Sequence, residues 1–336
     1  MTSATGPQRC TLVLTRSDVL ALLTLPECID AVEDAFRRHA AGHTLPPGVL
    51  GIPAPVGGGF HLKAAGLAGE PAYFAAKTNA NFPANASVGL PTIQGTVLLA
   101  DARNGVPLAV MDSGSITALR TGAATAVAAR HLARPDARTA TIVGCGVQGE
   151  IQLAALAAVL PLERAWVVDL DADRAAGLAA RMRETLGLRV EPSDDLPGSL
   201  RRSEVCVTCT PSRRPLVRRA DVPAGMFVAA VGADSQGKQE LEPALVASAT
   251  LVVDLLEQCA EIGELQHALA AGLTTRQRVH AELADVVSGR RPGRTRADEI
   301  TIFDSTGTAL QDVAAAARVY QNARLTGRGL AVRFDG

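Results

Sequence analysis

The sequence predicts an α/β fold organised around a doubly wound parallel sheet. From Thr139 onward, strand-like apolar runs alternate with Ala-rich helical stretches, in the order TATIVGCG, EIQLAALAAVL, RAWVVD, ADRAAGLAARMRETL, EVCVTCT, MFVAAVGA and TLVVDLL. Strands alternating with helices imply parallel pairing with helices on both faces. The first of these strands runs directly into a G-x-G-x-x-G turn that opens a helix, the context such a turn needs to be informative. Apolar residues make up 47% and aromatic residues only 3%, a balance suited to Ala-rich helices packed on Val-rich strands.

The elements before this unit follow other patterns. A helix signal starts at Ser17 and continues through DVLALLTLPECIDAVEDAFRRHAAG, where Pro26 divides it in two. Its second part places Ile29, Val32, Ala35 and Phe36 on one face. The Pro- and Gly-rich TLPPGVLGIPAPVGGG reads as loop and edge strand. Residues 60–112 read as strands, and Ala102-Arg103-Asn104-Gly105 between two apolar runs predicts a hairpin. Residues 115–133 have a helical pattern that Pro135 ends.

Composition excludes several classes. At 336 residues the chain is long enough for two domains, and its net charge of -1 has no basic footprint for nucleic acid. No apolar run approaches the ~18 residues that span a bilayer. The start MTSATGPQRCTLVLTR lacks a secretory pattern, so a soluble cytoplasmic protein is expected. The six cysteines are scattered. Cys206 and Cys209 form a C-x-x-C with redox or zinc potential, but a strand turns residues three apart to opposite faces. Reduced structural thiols and no metal site are expected.

The glycine turn carries the first chemistry. Gly144 permits the tight turn, Gly146 admits the pyrophosphate to the backbone, and Gly149 lets the helix pack on the strand. With Cys145, Val147 and Gln148 they present helix N–H groups to phosphates. Asp169 follows Gly149 by twenty residues, where a carboxylate accepts from the adenosine ribose and repels a 2′-phosphate. NAD is therefore the expected cofactor, with NADP open because Arg174 lies close in sequence.

Further segments have compositions that core packing does not explain: AAKTNANFPAN, GLPTIQG, SITALRTGAAT, AAVGADSQGKQEL and FDSTGTALQD. Together with GCGVQG, and in this order, they resemble the ornithine cyclodeaminase/mu-crystallin family over about residues 15–325. The resemblance implies a Rossmann domain at 126–305. A second α+β domain, built from 1–125 and 306–336, would bind substrate and form a homodimer through its sheet. It also implies action on amino acids or their imines with NAD or NADP. Lys77 and Arg120 would hold the substrate carboxylate, and Thr92 would lie near the substrate. Asp234 would stand beside the reacting nitrogen and carbon. Thr121, Lys238 and Ser305 would surround the nicotinamide end, and Thr210, Val231 and Gly232 join the expected dinucleotide contacts. The residue chemistry agrees: Arg with Lys fixes a carboxylate, and a nearby acid exchanges the proton on nitrogen or activates water. Ser305 also has a local alternative as a helix N-cap.

Two departures from the family pattern bear on function. Gly48 stands where many members carry a carboxylate-binding arginine, and His61 stands where cyclodeaminases carry a glutamate for the distal amine. Lys63 is placed to substitute for the lost arginine. An imine reductase or amino-acid dehydrogenase is thus the expected activity. The alternatives are an ornithine-type cyclodeaminase and a mu-crystallin-like protein that binds NADPH and small ligands.

Overall fold

The computed structural model describes residues 10–55 and 57–334; the N-terminal residues read above for a leader lie mostly outside them. The chain divides into two compact units, Met1–Arg120 with Ala309–Gly336, and Thr121–Thr308. The first begins with β1 (Thr11–Leu14), α1 (Arg16–Leu22), α2 (Leu25–Ala40), β2 (Thr44–Pro53), β3 (Gly59–Leu67), β4 (Tyr73–Asn81), β5 (Ile93–Asp101) and β6 (Pro107–Asp112). The helix α3 (Ser113–Leu132) carries the chain across the boundary, which falls between Arg120 and Thr121.

The second unit contains β7 (Thr139–Val143), α4 (Val147–Ala157), β8 (Arg164–Val168), α5 (Ala172–Leu186), β9 (Arg189–Pro192), α6 (Leu196–Arg201) and β10 (Val205–Thr208). It continues through β11 (Arg213–Val217), β12 (Phe227–Ala230), β13 (Gln239–Leu241), α7 (Pro243–Ser248), β14 (Thr250–Val253), α8 (Leu256–Ile262) and α9 (Leu265–Ala270). It closes with β15 (Ala281–Glu282), α10 (Leu283–Val287) and β16 (Thr301–Asp304), before α11 (Ala309–Thr326) and β17 (Leu330–Val332) return to the first unit.

The helix start predicted at Ser17 lies two residues earlier. Thr15 caps α1: its hydroxyl accepts from the Asp18 N–H, and the Asp18 carboxylate reaches back to the Thr15 N–H at 3.0 Å. Thr24 caps α2 in the same way, so the break falls before Pro26, which sits in the first turn where it needs no N–H partner. Ile29, Val32, Ala35 and Phe36 are buried as a stripe. The sheet of this unit has seven strands in the order β17-β1-β6-β5-β4-β3-β2, antiparallel except where β1 meets β6. The prolines of TLPPGVLGIP are accommodated in an edge strand, where a missing N–H costs no ladder bond. The predicted hairpin joins β5 to β6, with Gly105 at φ 75°. α11 packs on β3, β4 and α2, covering the face that carries Ala65, Ala75, Val97, Leu99 and Met111.

The sheet of the second unit is parallel throughout, in the order β15-β14-β16-β12-β10-β7-β8-β9. Every residue of β10, β12 and β16 is buried, as strands covered on both faces require. The chain winds from β7 outward to β9 and then returns to β10, so strand order reverses between β7 and β10. Ligands of open α/β sheets bind at the carboxyl ends of the strands beside such a reversal. β16, which runs into FDSTG, was not anticipated as a strand, and EVCVTCT ends its strand at Thr208, leaving Cys209 beyond it.

Candidate functional site

At the end of β7 the glycine turn has the geometry its sequence implied. Gly144 has φ +103°, a conformation that disfavours a side chain, and a Cβ there would meet the Cys209 carbonyl oxygen at 3.0 Å. At Gly149 a Cβ would stand 2.1 Å from the Gly144 carbonyl oxygen, so only glycine lets α4 start this close to β7. Gly146 has nothing within 4 Å of its missing Cβ, and as N-cap of α4 it brings no side chain to the helix end. The approach to the first-turn N–H groups is open, which fits a dinucleotide pyrophosphate. Val147 is exposed and Gln148 half-buried beside this opening, while Cys145 is buried and its thiol pushed up to about 12 by burial.

Asp169 stands one residue past β8 and ties itself to this turn. Its carboxylate accepts from the Cys145 N–H at 2.7 Å and from the Asp171 N–H at 3.0 Å. Arg174 pairs with Asp171 at 3.3 Å. Across the reversal, Thr210 gives both its N–H (2.6 Å) and its hydroxyl (2.7 Å) to Glu240. The Gly232 N–H donates to the other oxygen of Glu240 at 2.8 Å, and Val231 is buried beside it. Ser305 follows β16 directly and caps no helix, since α11 begins at Ala309; its buried hydroxyl oxygen has no hydrogen-bond partner among the described residues, which fits a ligand contact there. Thr121 is buried on α3. Asp234 lies four residues beyond β12 in an exposed loop and pairs with Lys238 at 2.5 Å, while the Lys238 carbonyl contacts the His267 ring at 2.7 Å.

In the first unit the register sets Lys63 opposite Lys77 and His61 opposite Asn79. Cross-strand partners share a face, so all four side chains lie on the face that α11 covers. There Lys77, only 3% exposed, donates to Asp312 at 2.8 Å and to the Thr117 hydroxyl at 3.3 Å. Arg120, also buried, pairs with the same Asp312 oxygen at 3.0 Å and donates to Gln311 at 2.8 Å. Burial pushes the Lys77 ammonium down to about 7, with Arg120 and Lys63 adding to the push and Asp312 opposing it. Burial alone would raise the Asp312 carboxyl, but Lys77 and Arg120 outweigh it and hold it below the ordinary range. Lys63 acts on both groups electrostatically. Thr92 lies apart from this cluster, exposed just before β5, toward the Asn81 end of β4.

Asp312 and Gln311 were not singled out from the sequence, although both lie in FDSTGTALQD. The available signal was a carboxylate set in an Ala- and Val-rich helix, ALQDVAAAARV, whose first nine residues are all buried. A charge in such a setting needs a partner. Glu240 was missed for a different reason: GKQEL reads locally as a polar loop leading into a strand.

A family model described as Ornithine cyclodeaminase/mu-crystallin family matches residues 9–327. An alanine dehydrogenase of Archaeoglobus fulgidus is 38% identical over 331 residues, covering 96% of this chain and 98% of that protein. Among solved structures, an archaeal alanine dehydrogenase dimer with bound NAD superposes with a TM-score of 0.92 at 37% identity, over 97% of this chain and 99% of that one. The Thermococcus litoralis Δ1-pyrroline-2-carboxylate reductase, in complex with NADH and L-proline, gives 0.92 at 33% identity, over 96% and 100%. The chain belongs to the ornithine cyclodeaminase/mu-crystallin family.

Proposed function

We propose that the protein is an NAD(P)-dependent oxidoreductase acting on the C–N bond of a small amino acid or cyclic imine, as an imine reductase or amino-acid dehydrogenase. One observation carries the substrate class. Lys77 and Arg120 share a single buried carboxylate, Asp312, on a sheet face that also carries Lys63. Such a cluster favours a further anion, and the planar guanidinium beside an ammonium suits an α-carboxylate. NAD(H), when bound, exchanges the hydride with the substrate carbon. The open helix end at Gly146, the close packing at Gly149, Asp169 and the unpartnered Ser305 hydroxyl fit that cofactor. In this reading Arg120 and Lys77 hold the carboxylate, and Asp234, which pairs with Lys238, exchanges the proton near the reacting nitrogen.

A homodimer formed through the first unit's sheet belongs to the same proposal. The face opposite α11 exposes Leu50, Ile52, Phe60 and Leu98, with Ile52 and Phe60 paired in register. An apolar sheet face of this kind suits a partner copy. All six thiols are free, which suits the reducing cytoplasm; no helix among the described residues is long and apolar enough to cross a membrane.

The test is a screen of amino acids and cyclic imines at 340 nm with both cofactors. Net NAD(P)H change with an α-carboxylate substrate is the expected result. Ammonia release without net change would instead establish a cyclodeaminase, and binding without turnover a ligand-binding protein.

A further inference from the structure

Three acids in the second unit are wholly buried and face backbone amides. Asp304 accepts from the N–H groups of Glu264 (3.1 Å) and Leu265 (2.9 Å). Glu264 accepts in turn from Glu240 (2.7 Å) and Leu241 (3.1 Å). Glu240 accepts from Thr210 and Gly232, at the carboxyl ends of β10 and β12. None of the three is exposed at all. Among the described residues peptide N–H groups face these carboxyls, and burial raises all three above their ordinary values. The glycines at these junctions leave room for them. A Cβ on Gly232 would sit 2.5 Å from the Glu240 carboxylate, and one on Gly263 would sit 2.6 Å from that of Asp304.

We propose that Glu240 is a positioning residue for the dinucleotide: its carboxylate clamps the ends of β10 and β12 together, so that Thr210 and Gly232 present a fixed backbone to the cofactor. The inference rests on the reading that this strand edge binds NAD(H). Glu240 itself does not touch the cofactor, because both its oxygens are turned to the two strand ends. Two parallel strands end side by side here with their last N–H groups beyond the sheet ladder. A single two-oxygen acceptor that takes one N–H from each fixes their separation, which water would not do. Glu264 holds the chain on which Glu240 is carried, and Asp304 holds Glu264. The clamp is therefore backed by the strand that delivers Ser305.

Glu240→Gln keeps the size but turns an N–H donor toward one strand end. Calorimetric titration with NADH should show affinity weakened by roughly tenfold or more, the consequence of losing one charge-assisted contact. Glu240→Asp restores two acceptor oxygens on a shorter arm and should recover part of that loss. A merely structural role would lower the melting temperature of both variants and leave NADH affinity within about twofold, and that result overturns the proposal. A second measurement needs no variant. In the cofactor-free protein, the amides of Thr210 and Gly232 should already be protected from hydrogen exchange and change little when NADH binds. Free exchange that becomes protected only with NADH would show that the cofactor, and not Glu240, orders the strand ends. If the unmutated protein bound neither NADH nor NADPH, the cofactor reading would fall and this inference with it, an outcome distinct from a silent Glu240→Gln.

Discussion

The Lys77 ammonium and the Asp312 carboxylate meet at 2.8 Å although 235 positions separate them in the chain. The contact joins a strand near the start to a helix near the end, and Arg120 shares the same carboxylate oxygen at 3.0 Å. A buried acid between two cations does two things at once. It offsets the desolvation of both, and it fixes where their remaining N–H donors point.

Asp312→Asn should therefore be costly. The replacement leaves two buried cations without a counter-charge, and breaking a buried pair in this way costs about 3–5 kcal/mol. Part of that is recovered because Lys77 can give up its proton near neutral pH. Urea unfolding should show a loss of about 2–4 kcal/mol, partly restored by added sulfate or chloride occupying the freed cations. A variant as stable as the parent, with no response to anions, would show that Asp312 does not balance the cluster.

Much of the second unit was legible because each signal was local. The glycine turn, the strand before it, the helix after it and the acid twenty residues on are all read within about thirty residues, and the alternation of β and α fixes parallel pairing. The candidate substrate cluster was legible in part. Lys77 and Arg120 stood out through their flanking segments, but their mutual partner Asp312 comes from α11, which returns over the sheet near the end of the chain. No local pattern encodes such a contact. Glu240 was hidden for the same reason: its meaning comes from Thr210, thirty residues earlier, and from the carboxylate-sized gap that Gly232 leaves. The short strands β9, β11, β13 and β15 escaped because two to five residues carry too little periodicity.

The position of Lys77 gives a pH dependence with a definite sign. Its ordinary value is 10.5 and burial brings it to about 7 in the folded protein. Carboxylate binding needs the charged form, so kcat/KM should fall as pH rises through about 7. The same limb in kcat should lie higher, because a bound carboxylate favours the proton. Lys77→Arg keeps the charge throughout and should abolish the limb, at some loss of fit. The stability contribution of Lys77 runs the other way. Its folded value is depressed, so that contribution is present above 10.5 and lost as pH falls through about 7. A flat kcat/KM profile from pH 6 to 9 in the parent would remove Lys77 from carboxylate binding.

Cofactor choice should follow Asp169. Its carboxylate is pinned by the Cys145 and Asp171 N–H groups, so it cannot swing away from a 2′-phosphate. NADH should bind more tightly than NADPH, and Asp169→Ala should narrow the gap. Because the variant also frees the Cys145 N–H, some NADH affinity should be lost as well. Equal or tighter NADPH binding by the parent, measured by fluorescence titration, would contradict this.

Assembly should depend on the exposed sheet face. Phe60→Asp with Ile52→Asp places two charges on opposed positions of β2 and β3. Like charges so placed oppose burial of that face against a second copy. The parent should sediment as a dimer at micromolar concentration, and the double variant should shift toward monomer while keeping its circular dichroism. A monomeric parent, or a dimer indifferent to the two charges, would count against this face.

Asp234 separates binding from chemistry. It pairs with Lys238 in an exposed loop, and such pairs contribute only about 0–1 kcal/mol to stability. Asp234→Asn should therefore fold and bind dinucleotide as the parent does, so any lost rate is read directly as chemistry. If Asp234 exchanges the proton at the reacting nitrogen, kcat should fall by about 10²–10⁴-fold. Arg120→Ala offers the contrast. Losing a charge-assisted contact to the carboxylate should weaken substrate binding by roughly 10- to 150-fold, with kcat affected only through misalignment of the reacting carbon. Arg120 is buried and shares Asp312, so its variant should also lose stability, whereas Asp234→Asn should not. Near-full kcat in Asp234→Asn on the true substrate would leave that residue an orienting role at most. The proton would then have to come from His61 or Lys63, which share a sheet face with Lys77, and His61→Gln and Lys63→Met would be the variants that decide between them.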